Sequence, residues 1–256
     1  MAISSESAAV RKILLLSGTS EGPLLARALT DAGFQVLATV TRAEACATLF
    51  GTVAGIEVEA RGFSESSLTD FLTRRGAALV LDATHPFAVR ITRIAQAVCA
   101  RLGVPYVRYE RPDWAPPPVT ILVTDFAEAA RRLSGLGQRV LFTIGCKQLK
   151  HFAHLHGELE MFARILPGPE SVQPALAAGF RAANLVCLRP PFTREANREL
   201  MQQLRIDVLV TKASGQEGGV VEKVLAAHQL GVKVVMIQRP TAGAPAQVSS
   251  VADALA

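Results

Sequence analysis

Leu79-Val80-Leu81-Asp82-Ala83-Thr84-His85-Pro86-Phe87 runs from an apolar strand straight into polar residues and then, at a proline, into a helix. Polar groups delivered at the carboxyl end of a buried strand stand where open α/β sheets take their ligands. Proline suits the first helical position, where its missing N–H would have no partner anyway. Outward from this stretch the same alternation repeats. Residues 12–17, 35–40, 56–60, 78–82 and 106–109 read as strands, with helices over 21–32, 43–50, 64–75 and 86–102. Regular strand–helix alternation predicts mainly parallel sheets with helices on both faces.

The alternation breaks at Glu110-Arg111-Pro112-Asp113-Trp114-Ala115-Pro116-Pro117-Pro118, where four prolines in nine residues remove the donors that a helix or central strand needs. It then resumes, with strands expected over 119–124, 140–144, 158–165, 185–188, 208–211 and 234–237. The expected architecture is therefore α/β, with two Rossmann-like domains, residues 1–112 and 113–256, facing each other across a ligand cleft. The halves echo one another. Gly103-Val104 precedes a strand ending at Arg111-Pro112, and Gly231-Val232 precedes one ending at Arg239-Pro240, at identical spacing. The path of the tail from Thr241 is open at this level.

Half of the 256 residues are hydrophobic, but no apolar run approaches the roughly 18 residues that suggest a membrane span. Residues 1–10 are rich in Ser and Ala and lack the apolar core of a signal peptide. The four cysteines are scattered with no Cys-x-x-Cys pair, which fits a reducing cytoplasm. The net charge of +5 is dispersed and aromatics make up 5% of the chain, so a polyanionic small molecule is a better partner than nucleic acid.

Candidate chemistry sits at the strand ends. Gly18, Thr19, Ser20 and Glu21 close the first strand and open the first helix, where backbone N–H groups and the helix dipole suit a pyrophosphate, although Gly-x-Gly-x-x-Gly is absent. Thr41 and Arg42 end the second strand. An Arg there suits the 2′-phosphate of NADP, whereas NAD and S-adenosylmethionine usually meet a carboxylate, and Glu44 keeps NADH open. Asp82, Thr84 and His85 face cofactor or substrate from the fourth strand. Tyr106 and Tyr109 are followed four residues on by Glu110 and Asp113, so the Tyr-x-x-x-Lys of short-chain dehydrogenases is missing.

In the second half, Lys212, Ser214 and Gly215 form an anion-site pattern, and Lys147 and Arg164 place further cations at strand ends. His151-x-x-His154-x-His156 lacks a recognised zinc spacing and reads as a surface helix, so no metal is assigned. Cys146 has no matching His–Asp set.

Together these residues resemble the precorrin-6A reductase family of cobalamin biosynthesis, from about Lys12 to Pro240. The resemblance rests on Gly18-Thr19-Ser20-Glu21, Asp82-Ala83-Thr84-His85-Pro86-Phe87, and Tyr109-Glu110-Arg111-Pro112 with Trp114. It continues in Arg164-Ile165-Leu166-Pro167 and in Thr211-Lys212-x-Ser214-Gly215 with Glu222-Lys223. The sequence departs at Ser17 (a Gly is common there), at Pro190 before Pro191-Phe192, and at Ala213, where an acid often sits. The resemblance implies hydride transfer from NADPH to precorrin-6A to give precorrin-6B. The Gly18–Glu21 loop and Arg42 would hold NADPH, with Thr84 and His85 near the nicotinamide and His85 a candidate proton donor. Lys147, Arg164, Lys212, Ser214 and Gly215 would meet substrate carboxylates, or the cofactor in the case of the Lys212 loop. Other cobalamin-pathway enzymes are candidate partners. A cobalt-bearing substrate and a non-catalytic NADP-binding redox sensor are the rival readings.

Overall fold

The computed structural model describes residues 11–240, 243 and 246–255. The chain divides into two compact units: one combines the stretch up to Arg111 with the tail that starts at Thr241, and the other is Pro112–Pro240. In the first unit, β1 (Lys12–Leu16), α1 (Glu21–Asp31), β2 (Gln35–Val40), α2 (Ala43–Phe50), β3 (Glu57–Ala60), α3 (Glu65–Arg75), β4 (Leu79–Asp82), α4 (Val89–Leu102) and β5 (Tyr106–Tyr109) follow in order. The second holds β6 (Ile121–Val123), α5 (Phe126–Arg132), β7 (Arg139–Phe142), a 3-10 stretch Cys146–Leu155, β8 (Glu160–Ile165) and α6 (Pro169–Ala177). It continues through β9 (Leu185–Cys187), α7 (Arg194–Gln203), β10 (Val208–Lys212), α8 (Val220–Gln229) and β11 (Lys233–Ile237). The tail adds β12 (Gln247–Val248) and α9 (Val251–Leu255).

Each unit is built on a parallel six-stranded sheet, ordered β12-β5-β4-β1-β2-β3 in the first and β6-β11-β10-β7-β8-β9 in the second. The central strands are buried on both sides. Leu14 and Leu16 pack with Phe71 and Val98 on one face, while Ile13 and Leu15 pack with Leu25 and Leu81 on the other. That two-sided burial is why these strands read as continuous apolar runs. Helix ends follow local chemistry: Ser64 and Ser67 form a capping box before α3, and Gly76 and Gly103 adopt the left-handed conformation that ends α3 and α4.

Two expectations are corrected. The helix after the deciding stretch begins at Val89, not Pro86. The Phe87 N–H donates to His85 Nδ1 at 3.1 Å and the Ala88 N–H to the His85 carbonyl at 2.7 Å, so the intervening residues close a turn. The second domain does not run to residue 256 either. β12 pairs in parallel with β5, setting Gln247 against Arg108 and Val248 against Tyr109, so the described tail belongs to the first unit.

The five-strand patterns β3-β2-β1-β4-β5 and β9-β8-β7-β10-β11 are the same, so the sequence echo reflects repeated topology. The sixth position differs in origin. Beside β11 it is filled by β6, from just after the first unit's last regular strand, and beside β5 by β12, from after the second unit. Among the described residues no helix is long and apolar enough to cross a membrane.

Candidate functional site

In the first unit the loop after β1 turns at Gly18, whose φ of +147° lies where L side chains rarely go. A Cβ at Gly18 would meet no atom within 4 Å, so the backbone stands open. Ser20 stands at the N-cap of α1 with no side-chain bond to the helix backbone, its Oγ donating to Glu21 Oε2 at 3.1 Å. Thr19 turns inward and donates from Oγ1 to the Ala83 carbonyl at 3.1 Å, tying this loop to the end of β4. Glu21 also turns inward, where Arg111 grips both its oxygens, through Nε and through Nη2 at 2.8 Å. Burial pushes the Glu21 carboxyl up, but the Arg111 bonds and charge outweigh it and hold the group below its ordinary value. Of the four predicted loop residues, then, Gly18 and Ser20 face outward, while the side chains of Thr19 and Glu21 lock the loop in place. Thr41 and Arg42 are exposed at the end of β2.

Asp82 is 0% exposed and does not face a ligand. Its carboxylate accepts from Thr84 N–H at 3.0 Å, Thr84 Oγ1 at 2.7 Å, Thr92 Oγ1 at 2.8 Å and Tyr106 OH at 2.7 Å. It also pairs with Arg108 Nη1 at 2.8 Å. Arg108 donates in turn to the Thr84 carbonyl at 2.9 Å and to Glu110 at 3.1 Å. Burial first, then the Asp82 charge, raises the Tyr106 phenol and lifts the Cys99 thiol to about 11. The hub thus fixes Thr84 and presents the half-buried His85 just beyond it. Because His85 Nδ1 accepts the Phe87 N–H, the neutral ring carries its proton on Nε2. Sequence reading missed Arg108, Thr92 and Tyr106, which reach Asp82 from two other elements.

The second unit gathers cations at the carboxyl ends of its strands. Arg164 on β8 donates to Asn197 Oδ1 at 2.8 Å and lies 3.9 Å over the Phe192 ring. Burial pulls its guanidinium down to about 10. Lys212 ends β10, and burial lowers its ammonium to about 8, with Cys146 opposing. Lys223 on α8 is 7% exposed, and its charge feels both Arg164 and Lys212. Sequence reading quoted Glu222-Lys223 without a role. The available signal was a lysine on the apolar helical stripe Val220, Val224 and Ala227.

Ser214 is buried in the loop after β10, with Oγ 3.4 Å from the Gly218 carbonyl, and Gly215 turns there at φ +80°. Lys147 is exposed on the 3-10 stretch that also carries the histidines. His151 stacks on Phe126, and His156 Nε2 lies 2.8 Å from the Ala178 carbonyl, so that stretch is 3-10 and partly packed, not a surface α-helix.

The family profile described as precorrin-6x reductase CbiJ/CobK matches residues 12–256. A cobalt-precorrin-6A reductase of Synechocystis is 37% identical over 231 residues, covering 89% of this chain and 88% of that protein. A precorrin-6A reductase of Rhodococcus erythropolis is 37% identical over 238 residues, covering 90% and 89%. A solved structure, "CobK precorrin-6A reductase", superposes with a TM-score of 0.79 at 30% identity, covering 96% of this chain and 95% of that one.

Proposed function

Because the chain belongs to the precorrin-6x reductase CbiJ/CobK family, we propose that it transfers hydride from NADPH to precorrin-6A in cobalamin biosynthesis, giving precorrin-6B. The reading is carried by the family match over nearly the whole chain, together with buried cations in the second unit suited to a polycarboxylate.

The first unit's residues fit the cofactor. The open Gly18 backbone, the α1 amino end that Ser20 leaves without a side-chain cap, and exposed Arg42 are the groups that would hold pyrophosphate and 2′-phosphate. Thr19 and Glu21 support that loop through their internal bonds, as Asp82 supports Thr84. Bound NADPH supplies the hydride. A proton must complete the reduction, and His85, charged to the imidazolium by solvent with its Nδ1 contact to the Phe87 N–H released, is assigned as its donor through Nε2, returning to the neutral ring. Arg164, Lys212, Ser214 and Gly215 are assigned to substrate carboxylates, with Lys147 at the rim. Such a reaction needs no protein nucleophile; the chain contributes position and matched charge.

The test is anaerobic incubation with NADPH or NADH and either precorrin-6A or its cobalt form, following nicotinamide oxidation and product mass. Expected is a macrocycle two hydrogens heavier, with NADPH preferred. Arg42→Ala should weaken NADPH by about tenfold, one charge-assisted bond, and leave NADH unaffected. His85→Gln should lower kcat by about a hundredfold, the scale of a positioned acid, with the NADPH KM unchanged. NADPH binding without oxidation on either macrocycle would overturn the reductase in favour of a sensor. Turnover of the cobalt form alone would place the enzyme with its cobalt-precorrin relatives.

A further inference from the structure

We propose that Lys223, together with Arg164, forms the closed end of an anion pocket in the second unit that grips one carboxylate arm of the substrate. The proposal rests on the reductase reading for the identity of that arm.

Lys223 lies on the buried side of α8, among Val220, Val224 and Ala227. Among the described residues it makes no hydrogen bond or ion pair, and Arg164 has only the neutral Asn197 and the Phe192 ring. The charged neighbours of Lys223 among the described residues are as follows. Arg164 from β8 and Lys212 from β10 repel Lys223. Glu222, next to it on α8, is turned to Arg194 of α7 at 3.0 Å, and His228, a turn and a half further along, meets Thr120. β11 packs against α8 with apolar Val234 and Met236. Burial and the two like charges pull the Lys223 ammonium down to about 7.

A sheet face carries the same message. Arg164 stands two residues beyond Phe162, and Thr211 two beyond Leu209, so both point to the side covered by α8. Thr211 is fully buried, yet its Oγ1 has no partner. Lys223 and Arg164, buried with no counter-charge among the described residues, and the unused Thr211 hydroxyl on the same sheet face cost stability in the empty protein. A carboxylate lowers that cost, accepting from both the guanidinium and the ammonium and offsetting one of their two charges. A cofactor phosphate offers the same chemistry, but the open glycine loop that suits one belongs to the first unit.

Lys223→Met and Lys223→Arg, tested in the full-length protein, decide the matter. In Lys223→Met the KM for precorrin-6A should rise by at least about tenfold, with the NADPH Kd unchanged and a melting temperature no lower than wild type. A lysine present for structure would instead lower the melting temperature and leave KM alone. Lys223→Arg should restore most of the substrate affinity. In the wild type that affinity should weaken as pH rises through about 7, where Lys223 loses its proton, and it should stay flat in Lys223→Arg. An unchanged KM in Lys223→Met overturns the proposal, as does a raised NADPH Kd, which would hand the pocket to the cofactor. If the wild type turns over neither macrocycle, citrate serves as probe. Thermal stabilisation by citrate that Lys223→Met abolishes upholds the pocket and rejects the reductase reading; equal stabilisation of both proteins rejects the pocket.

Discussion

Asp82 shows how one side chain can be misjudged from its position and still matter to the site. It stands at the strand end where a ligand contact is expected, but Tyr106, Thr92 and Arg108 converge on it and close it off. Asp82→Asn keeps the shape while removing the charge, so buried Arg108 loses its fully buried counter-ion and keeps only the more exposed Glu110 at 3.1 Å. We expect a loss of about 3–5 kcal/mol, the usual cost of breaking a buried pair, measured by urea unfolding. A loss below about 1 kcal/mol would show that the pair is dispensable. Lys223 makes the opposite contribution. Its ammonium titrates at about 7 when folded and near 10.5 when unfolded, so between those values the unfolded chain binds more protons. Stability should therefore rise with pH across that window, with the penalty present in full below about pH 7. The increment should vanish in Lys223→Met, which melting curves taken from pH 6.5 to 9.5 (roughly the usable window) will show.

At the scale of elements, α1 is seated by a close approach. A Cβ on Gly22 would fall 1.9 Å from Ser17 Oγ and 3.0 Å from both Ser17 Cβ and Phe50 Cζ. Gly22→Ala should therefore push α1 off the end of β1, costing about 1–3 kcal/mol and weakening NADPH. Ser17→Gly removes two of the three offending atoms, and since Ser17 Oγ has no partner, nothing bonded is lost with it. The double variant should regain most of the lost melting temperature; additive losses would refute the clash. Such contacts also explain what the sequence disclosed. Leu14-Leu15-Leu16 and Val208-Leu209-Val210 were legible because two-sided burial leaves uninterrupted apolar runs. Arg164 and Lys212 were legible because strand ends are where polar groups collect. Lys223 was legible only as a lysine on an apolar helical stripe; that Arg164 and Lys212 stand near it is set by tertiary packing. Gln247-Val248 was illegible as a strand, being two residues long with no pattern of its own and ordered by pairing with β5.

For the whole molecule, the two sheets repeat one topology, but the first takes its sixth strand from the far end of the chain while the second is made by one unbroken stretch. α9 adds to this, packing Val251 and Ala254 against the core beside α1 and β2. Removing residues 246–255 should therefore destabilise the first unit selectively. Hydrogen exchange should quicken in β5 and α1 while β10 and β11 keep their protection, whereas uniform loss would mean that the tail supports both units alike. A ribosome delivers these strands in an awkward sequence. β5 emerges early and then waits, one edge bare, while the entire second unit is synthesised ahead of β12; β6 likewise precedes the β11 it must pair with. A bare parallel edge is an invitation to neighbouring nascent chains. The period of greatest exposure for this fold thus falls during translation, and slowing elongation past residue 240 should raise aggregation of a protein in which, once finished, β12 lies on β5 and β6 on β11.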